Sequence, residues 1–489
     1  MKRLGLLAKG ALLGALMLGA AASPSPSLHI LQLEHERSLN DGSLAQLLDS
    51  RDQRVAVRAA LAIGRTKRAA GEDALEAHLS DPRPAVRAMC VYAIGLLATG
   101  QAADRLPALL ADPNSAVRVA ALDAVARYEA AKRFGTAETT AQTAVAQSLG
   151  ADSDAVVRAR AATALVEFSD APTGNAAAAA LAGAFRHDTD EAVRWHAMWS
   201  IYRGYATLVD KRTIVDALHD RDELVRIEAV RAMARLKGAG NAALVAPLLD
   251  DPSWRVQEQA GETIRILDGK PPMQHWTSIP PYVHVPAPAP DPYAKLAPLP
   301  WPRLEGKPAA PQPDQAIFQP ALDPTSAFEM TEPAAGLHPR VRIVTTKGDL
   351  YVALYPEWAP LTVANFLNLA ARGYYNGNRW FRIVPDFVVQ TGDPHDNGEG
   401  DAGYTIGAEE NPLEQRSYVI SMGLNYDDKT NTPIRDSAGS QYYVTLSPQL
   451  HLDRDFTVFG AVVSGFDVLG RLIESDRVIR IERLADIAL

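Results

Sequence analysis

Apolar and polar positions in the first half of the chain recur with a fixed internal spacing. Asp81, Asp112, Asp152, Asp188, Asp220 and Asp251 each stand five residues before a valine: Val86, Val117, Val157, Val193, Val225 and Val256. Arginine follows the first five valines (Arg87, Arg118, Arg158, Arg194, Arg226), and Gln257 follows the last. Four residues past each valine is a small residue (Cys90, Ala121, Ala161, Ala197, Ala229, Ala260). Eight past it is a large apolar one (Ile94, Val125, Leu165, Ile201, Met233, Ile264). Offsets of four and eight put all three on one helix face. The valines are 31, 40, 36, 32 and 31 residues apart, a period that marks stacked helical hairpins. The aspartates are expected to cap helix N-termini. Pro82, Pro113 and Pro252 are then expected at the first helical position. Apolar pairs such as Leu109-Leu110 and Leu248-Leu249 are assigned to the first helix of each hairpin. A seventh hairpin is expected near residues 43–64. The arginines are expected to bond the aspartates and carbonyls of neighbouring repeats, and Cys90 to be an inert core thiol.

This pattern resembles HEAT repeats of the short variety, over residues 40–268. The resemblance implies an all-α solenoid acting as a scaffold, with an unidentified protein partner and no chemistry of its own.

The flanks differ in composition. Residues 271–340 hold 18 of the 34 prolines, which excludes helix and central strand. Residues 269–339 are therefore a proline-rich, semi-rigid linker, with Trp276, Tyr282, Trp301 and Phe318 expected to tie it to a domain surface. At the other end, Lys2, Arg3 and Lys9 precede a short apolar run (Gly10–Gly19) and Ala20-Ala21-Ala22. This is the form of a cleaved secretory signal over residues 1–22, with 23–39 as a flexible lead. The apolar run is shorter than the ~20 residues a membrane span needs, so no stable membrane insertion is expected after cleavage. Export, with a bacterial periplasm as the destination, follows as an expectation. Net charge is −9, from 49 basic and 58 acidic residues, which argues against a nucleic-acid partner. The single cysteine excludes internal disulfides and cysteine-cluster metal sites.

From residue 340 the period changes from helical to strand-like. VRIVTT, the turn Lys347-Gly348-Asp349 and LYVALY read as a β-hairpin. Leu361–Ala371 reads as a helix with Pro360 at its start, and short strands with glycine-rich turns follow. Residues 340–489 thus predict a closed β-barrel with flanking helices. The runs RGYYNGNRWFRIVPDFVVQTGDP (372–394) and GSQYYVTLSPQLHLDRDFTVFGAVVSGFDVL (439–469) resemble the signature stretches of cyclophilins, the peptidyl-prolyl cis-trans isomerases.

The resemblance implies a site. Arg382 falls at the family's catalytic arginine. Phe387, Tyr443 and Leu452 match its proline-pocket residues, and Val388 stands where many members have methionine. Gln390 and Gln441 match polar positions that bond substrate backbone or orient the arginine. Phe456 replaces a frequent histidine at the pocket edge, and His451 stands at a rim position where tryptophan is common. Phe381 replaces a histidine beside the arginine, Asp386 and Thr391 replace glycines, and Leu424 falls where asparagine is frequent. About eight extra residues lie between Met422 and Gln441, beside the expected groove.

The chemistry asked of these residues is simple. Amide resonance gives the X–Pro bond a rotational barrier near ~20 kcal/mol. Lowering it requires an apolar slot for the proline ring and a donor aimed at the prolyl nitrogen, whose lone pair is released as the bond twists. No nucleophile, cofactor or metal is needed. The acidic loop Asp393–Asp401 misses the EF-hand spacing. The expected substrates are proline-containing exported polypeptides; a non-catalytic proline-peptide binder on a scaffold is the alternative.

Overall fold

The computed structural model describes residues 26–39, 42–171, 174–236, 238–270, 297–299, 301 and 338–487. The signal segment, Trp276, Tyr282 and Phe318 lie outside them. The first half is a helical array. Its second-position helices are Gln53–Thr66, Pro84–Leu97, Ser115–Ala130, Ala155–Ala164, Glu191–Ser200, Glu223–Arg235 and Trp254–Leu267. The expected valines are fully buried, as are the small residues four positions on. Burial pushes the Cys90 thiol up to about 12, so it stays protonated. Several first-position arms are short 3-10 turns, among them Leu106–Ala111 and Ala246–Asp250.

The repeating aspartates do not cap helices. Each stands three residues before its helix, and the cap is the residue two further on: Asn114, Asp154, Asp190 and Asp222 accept from the first-turn N–H groups. Pro82, Pro113 and Pro252 accordingly precede the helices. The aspartate side chain instead folds the turn, accepting the N–H of the residue two ahead, as Asp112 does from Asn114 (2.8 Å). Its carboxylate then receives the preceding repeat's arginine in a fork: Arg87–Asp112 (3.0 and 3.0 Å), Arg118–Asp152 (2.7 and 2.8 Å), Arg158–Asp188 (2.6 and 2.9 Å) and Arg226–Asp251 (2.8 and 2.8 Å). Arg194–Asp220 is longer (3.3 and 3.4 Å). A third nitrogen of Arg87, Arg118, Arg158 and Arg226 binds the main-chain carbonyl of the aspartate in its own repeat. The ladder is the inter-repeat bonding expected from the sequence; the N-cap role passes to other residues because the aspartate is fully used here.

The segment read as a flexible lead is partly ordered. Pro26–His35 is a helix that buries Ile30 and Leu33 against the array. Its Glu34 pairs with Arg58 and Arg65.

The second half is an eight-stranded antiparallel sheet: β1 (His338–Thr345), β2 (Gly348–Leu354), β3 (Arg382–Val384), β4 (Val388–Thr391), β5 (Val419–Met422), β6 (Tyr442–Thr445), β7 (Val458–Ser464) and β8 (Val478–Ile487). Its order is β3-β4-β6-β5-β7-β2-β1-β8. The ends meet through main-chain bonds of Gly377 and Trp380 with Val478 and Asp476 (2.7 and 3.0 Å), which closes the barrel. The helix Pro360–Ala371 sends Phe366 into the core against Tyr375, Tyr442 and Phe459, with centroids 5.4–5.5 Å apart. From the linker, Trp301 packs on this core and Leu299 donates to the Arg483 carbonyl (2.9 Å).

Array and barrel share an interface. Leu450 and Trp358 of the barrel half pack into the array's core. Arg65, nearly fully buried, donates to the carbonyls of Glu410 (2.7 Å), Glu409 (3.0 Å) and Trp358 (2.6 Å). Arg160 joins Asp123 of the array to Glu414 and Asp453 of the barrel half (3.3, 2.6 and 3.3 Å). Glu410 takes Lys67 of the array at 3.0 Å and Arg435 at 2.7 Å. Burial alone would raise the pKa of Glu410, but Lys67, Arg435 and Arg127 hold it down to about 2. A depressed carboxyl stabilises the fold above its unfolded pKa near ~4.3, and that contribution is lost as pH falls through the folded value. Glu410→Gln should therefore lower unfolding free energy by about 3 kcal/mol at pH 6. Denaturant titrations should show this deficit shrinking as the pH is taken from 5 towards 2.

Candidate functional site

The candidate site lies on the outer face of β3, β4 and β6. Side chains alternate along a strand. Val389, Tyr442 and Val444 therefore enter the barrel core, while Val388, Gln390, Gln441 and Tyr443 line a groove of about 640 Å³. Val388, Tyr443, Leu452 and Phe456 form a compact apolar cluster with Phe387 and Leu424 against it. Tyr443 and Phe456 meet edge-to-face at 5.8 Å. This cluster forms an apolar slot in the groove.

Arg382 begins β3 and pairs in register with Gln390, which pairs with Tyr443. The pairing sets Arg382 at the mouth of the slot. Its guanidinium lies 5.3 Å from the Phe387 ring centroid. Nη1 donates to Gln390 Oε1 (3.3 Å), and Gln390 Nε2 donates to Gln441 Oε1 (2.9 Å). Gln441 is fixed in turn by donating to the Gly398 and Gly400 carbonyls (2.9 and 2.8 Å). Among the described residues no carboxylate forms an ion pair with Arg382. Removal from water pushes its pKa below the usual arginine value, with Tyr426 and Tyr443 acting against that shift; arginine stays charged all the same. Most of its donors are free to meet an approaching acceptor.

Of the nine residues that the resemblance assigns to the arginine, the pocket, its rim and its polar positions, eight line this groove. His451 does not. Its ring stacks on Phe387 at 5.6 Å and 20°, and it lines a neighbouring cleft. Sequence reading missed Tyr426 and Asn431, which come from the extra residues and line the groove. That segment folds as a small hairpin: Tyr426 pairs with Pro433, Asp427 accepts from Lys429 and Thr430 (2.9 Å each), and Ile434 donates to the Asn425 carbonyl (2.7 Å). The only signal for Tyr426 was an aromatic residue close behind β5. In the acidic loop, the Asp393 carboxylate accepts from the main-chain N–H groups of His395, Asn397 and Gly398 and so organises a turn.

Asp386 shows how a glycine position tolerates a side chain. Its backbone is left-handed, with φ +56°, a conformation that favours glycine. Its carbonyl accepts from Ser447 and Gln449. Its largely buried carboxylate is held by Arg255 and Arg231 of the array. Two array arginines thus hold the residue that precedes Phe387. No local pattern signals this, because the partners are 131 and 155 residues away. Removing both (Arg231→Ala with Arg255→Ala) leaves a buried, unpaired carboxylate beside the slot. We expect affinity for a proline-containing peptide to fall about tenfold, about 1.4 kcal/mol, by titration calorimetry. In an Asp386→Gly background the same two substitutions should change affinity less than about twofold, because glycine takes positive φ without strain.

With this geometry established, the comparisons are specific. Residues 340–484 match the family described as cyclophilin type peptidyl-prolyl cis-trans isomerase. Residues 41–126 and 103–202 match HEAT repeats. Peptidyl-prolyl cis-trans isomerase B of Bacillus subtilis is 41% identical over 125 residues, which cover 25% of this chain and 82% of that protein. Peptidyl-prolyl cis-trans isomerase 10 of Caenorhabditis elegans is 40% identical over 135 residues, 26% of this chain and 78% of that protein. A Helicobacter pylori peptidyl-prolyl cis-trans isomerase is 33% identical over 159 residues, 32% of this chain and 93% of that protein. Through its C-terminal barrel, joined here to a HEAT-repeat array, the chain belongs to the cyclophilin-type peptidyl-prolyl cis-trans isomerases.

Proposed function

We propose that this isomerase acts on X–Pro bonds of exported polypeptides, assisting their folding, and that the array docks the client or a partner beside the groove. The observation that carries the catalytic part is Arg382: a charged donor fork at the mouth of an apolar slot, oriented by Gln390 and Gln441, with no carboxylate pairing it among the described residues. In the planar ground state the prolyl nitrogen shares its lone pair with the carbonyl. Twisting localises that pair, and an arginine N–H aimed at it bonds more strongly in the twisted state than in either planar isomer. Only such differential bonding lowers the barrier. Meanwhile Val388, Tyr443, Leu452 and Phe456 hold the ring still, so rotation takes place at the flanking carbonyl.

Export is supported by the basic head, the short apolar run and the three alanines of residues 1–22. Among the described residues, no helix is long and apolar enough to cross a membrane. Docking is supported by the placing of the array, whose second-position helices supply Arg231 and Arg255 to the loop before Phe387.

Arg382→Ala should reduce kcat/KM for a short X–Pro peptide by about 10²–10³, the usual effect of losing one preorganised donor, with an unchanged circular dichroism spectrum. A folded wild type that fails to accelerate isomerisation would instead make the domain a proline-peptide binder. Expressed with its leader in a Gram-negative host, the chain should be recovered from the periplasm with Ser23 as its first residue by mass spectrometry. Recovery in the cytosol with residues 1–22 intact would refute export.

A further inference from the structure

Beside the groove lies a second cleft of about 440 Å³, formed jointly by array and barrel. Its array wall comprises Leu96, Arg127, Val166, Glu167, Trp199 and Arg203; its barrel wall is the segment from Leu450 to Asp455. That segment contributes to the walls of both groove and cleft. Leu452 faces the groove, whereas Leu450, His451 and Asp453 face the cleft. The partition is thin at one place, where the His451 ring stacks on Phe387, a wall of the proline slot. A polypeptide leaving the slot past Phe387 meets His451 and then the array.

The array wall is equipped to hold such a chain. Arg127 and Arg203 form no ion pair with a carboxylate among the described residues, unlike Arg454, which pairs with Glu167 (2.7 Å). Nε of Arg127 is buried without a hydrogen-bond partner. Both guanidiniums are also positioned in advance. Arg127 lies 5.4 Å from the Tyr92 centroid and donates to its hydroxyl (3.3 Å), and Arg203 lies 5.8 Å from the Trp199 centroid. Planar forks laid on aromatic faces suit carboxylates and main-chain carbonyls.

We infer that this cleft is an extended substrate subsite in which the HEAT array binds the residues flanking the X–Pro bond, with an acidic side chain of the client placed on Arg127 and Arg203. The inference rests on the docking reading above and gives it a location. It makes the array part of the substrate site and confers a preference that the groove alone lacks.

The test compares kcat/KM of the full chain for a four-residue X–Pro peptide and for peptides lengthened by six residues on either side, carrying glutamate or lysine. The glutamate peptides should exceed the short one by about tenfold, chiefly through KM, and should exceed the lysine peptides. In Arg127→Ala and in Arg203→Ala, each normalised to its own activity on the short peptide, that ratio should fall to about one. Equal kcat/KM for long and short peptides, or a length advantage untouched by both substitutions, overturns the subsite. If long peptides are favoured with no role for either arginine, docking by the array stands and only this location fails. If length brings no advantage at all, docking of the client itself fails with it.

Discussion

A guanidinium taken out of water must find acceptors for its donors, and most of this structure follows from where those acceptors are. Along the array each arginine after the repeat valine spans to the next repeat's aspartate and back to its own repeat's carbonyl. One side chain thereby fixes the spacing and the turn of two hairpins. Across the array the same chemistry runs outward. Arg65 and Arg160 are buried at the barrel interface and meet its carbonyls and carboxylates. Removing such a partner strands a buried charge, which is far costlier than losing an exposed pair. The two halves are therefore joined by buried charges whose partners lie across the interface.

Arg382 is the opposite case. It shares one donor with Gln390, rests on an aromatic ring and lacks an ion-pair partner among the described residues. An arginine satisfied like Arg65 has nothing left for a substrate. The site is built by withholding the carboxylate that Arg65 and Arg160 receive and fixing the side chain through the relay Gln390–Gln441–Gly398/Gly400. Preorganisation of this kind costs nothing at the moment of reaction.

The array also enters the site's architecture. Asp386 occupies a left-handed turn and is held by Arg231 and Arg255. The extra residues after Met422 form a groove wall through Tyr426 and Asn431. At their far end Asp436 pairs with Arg37 of the N-terminal segment. Two edges of the groove are thus tied to helical elements outside the barrel.

The sequence alone determined what has a local period. The repeat valines and small residues announced the array, because a helix returns the same face every three to four residues. The hairpin on either side of Lys347-Gly348-Asp349 was legible too, because a strand's period of two leaves each side chain only two faces. The groove residues around Arg382 were legible through their resemblance to a known signature. Only the tertiary structure decided the rest. The aspartates could not be told from helix caps, since both roles ask for a carboxylate before a helix. The helix Pro26–His35 shows little amphipathic pattern, and its order comes from packing on the array and from Arg58 and Arg65. His451 leaves the groove because the array offers it a second surface. Arg65 meets Glu410 across 345 residues, and no spacing rule reaches that far: such contacts are set by which buried donors and acceptors the folded chain brings together.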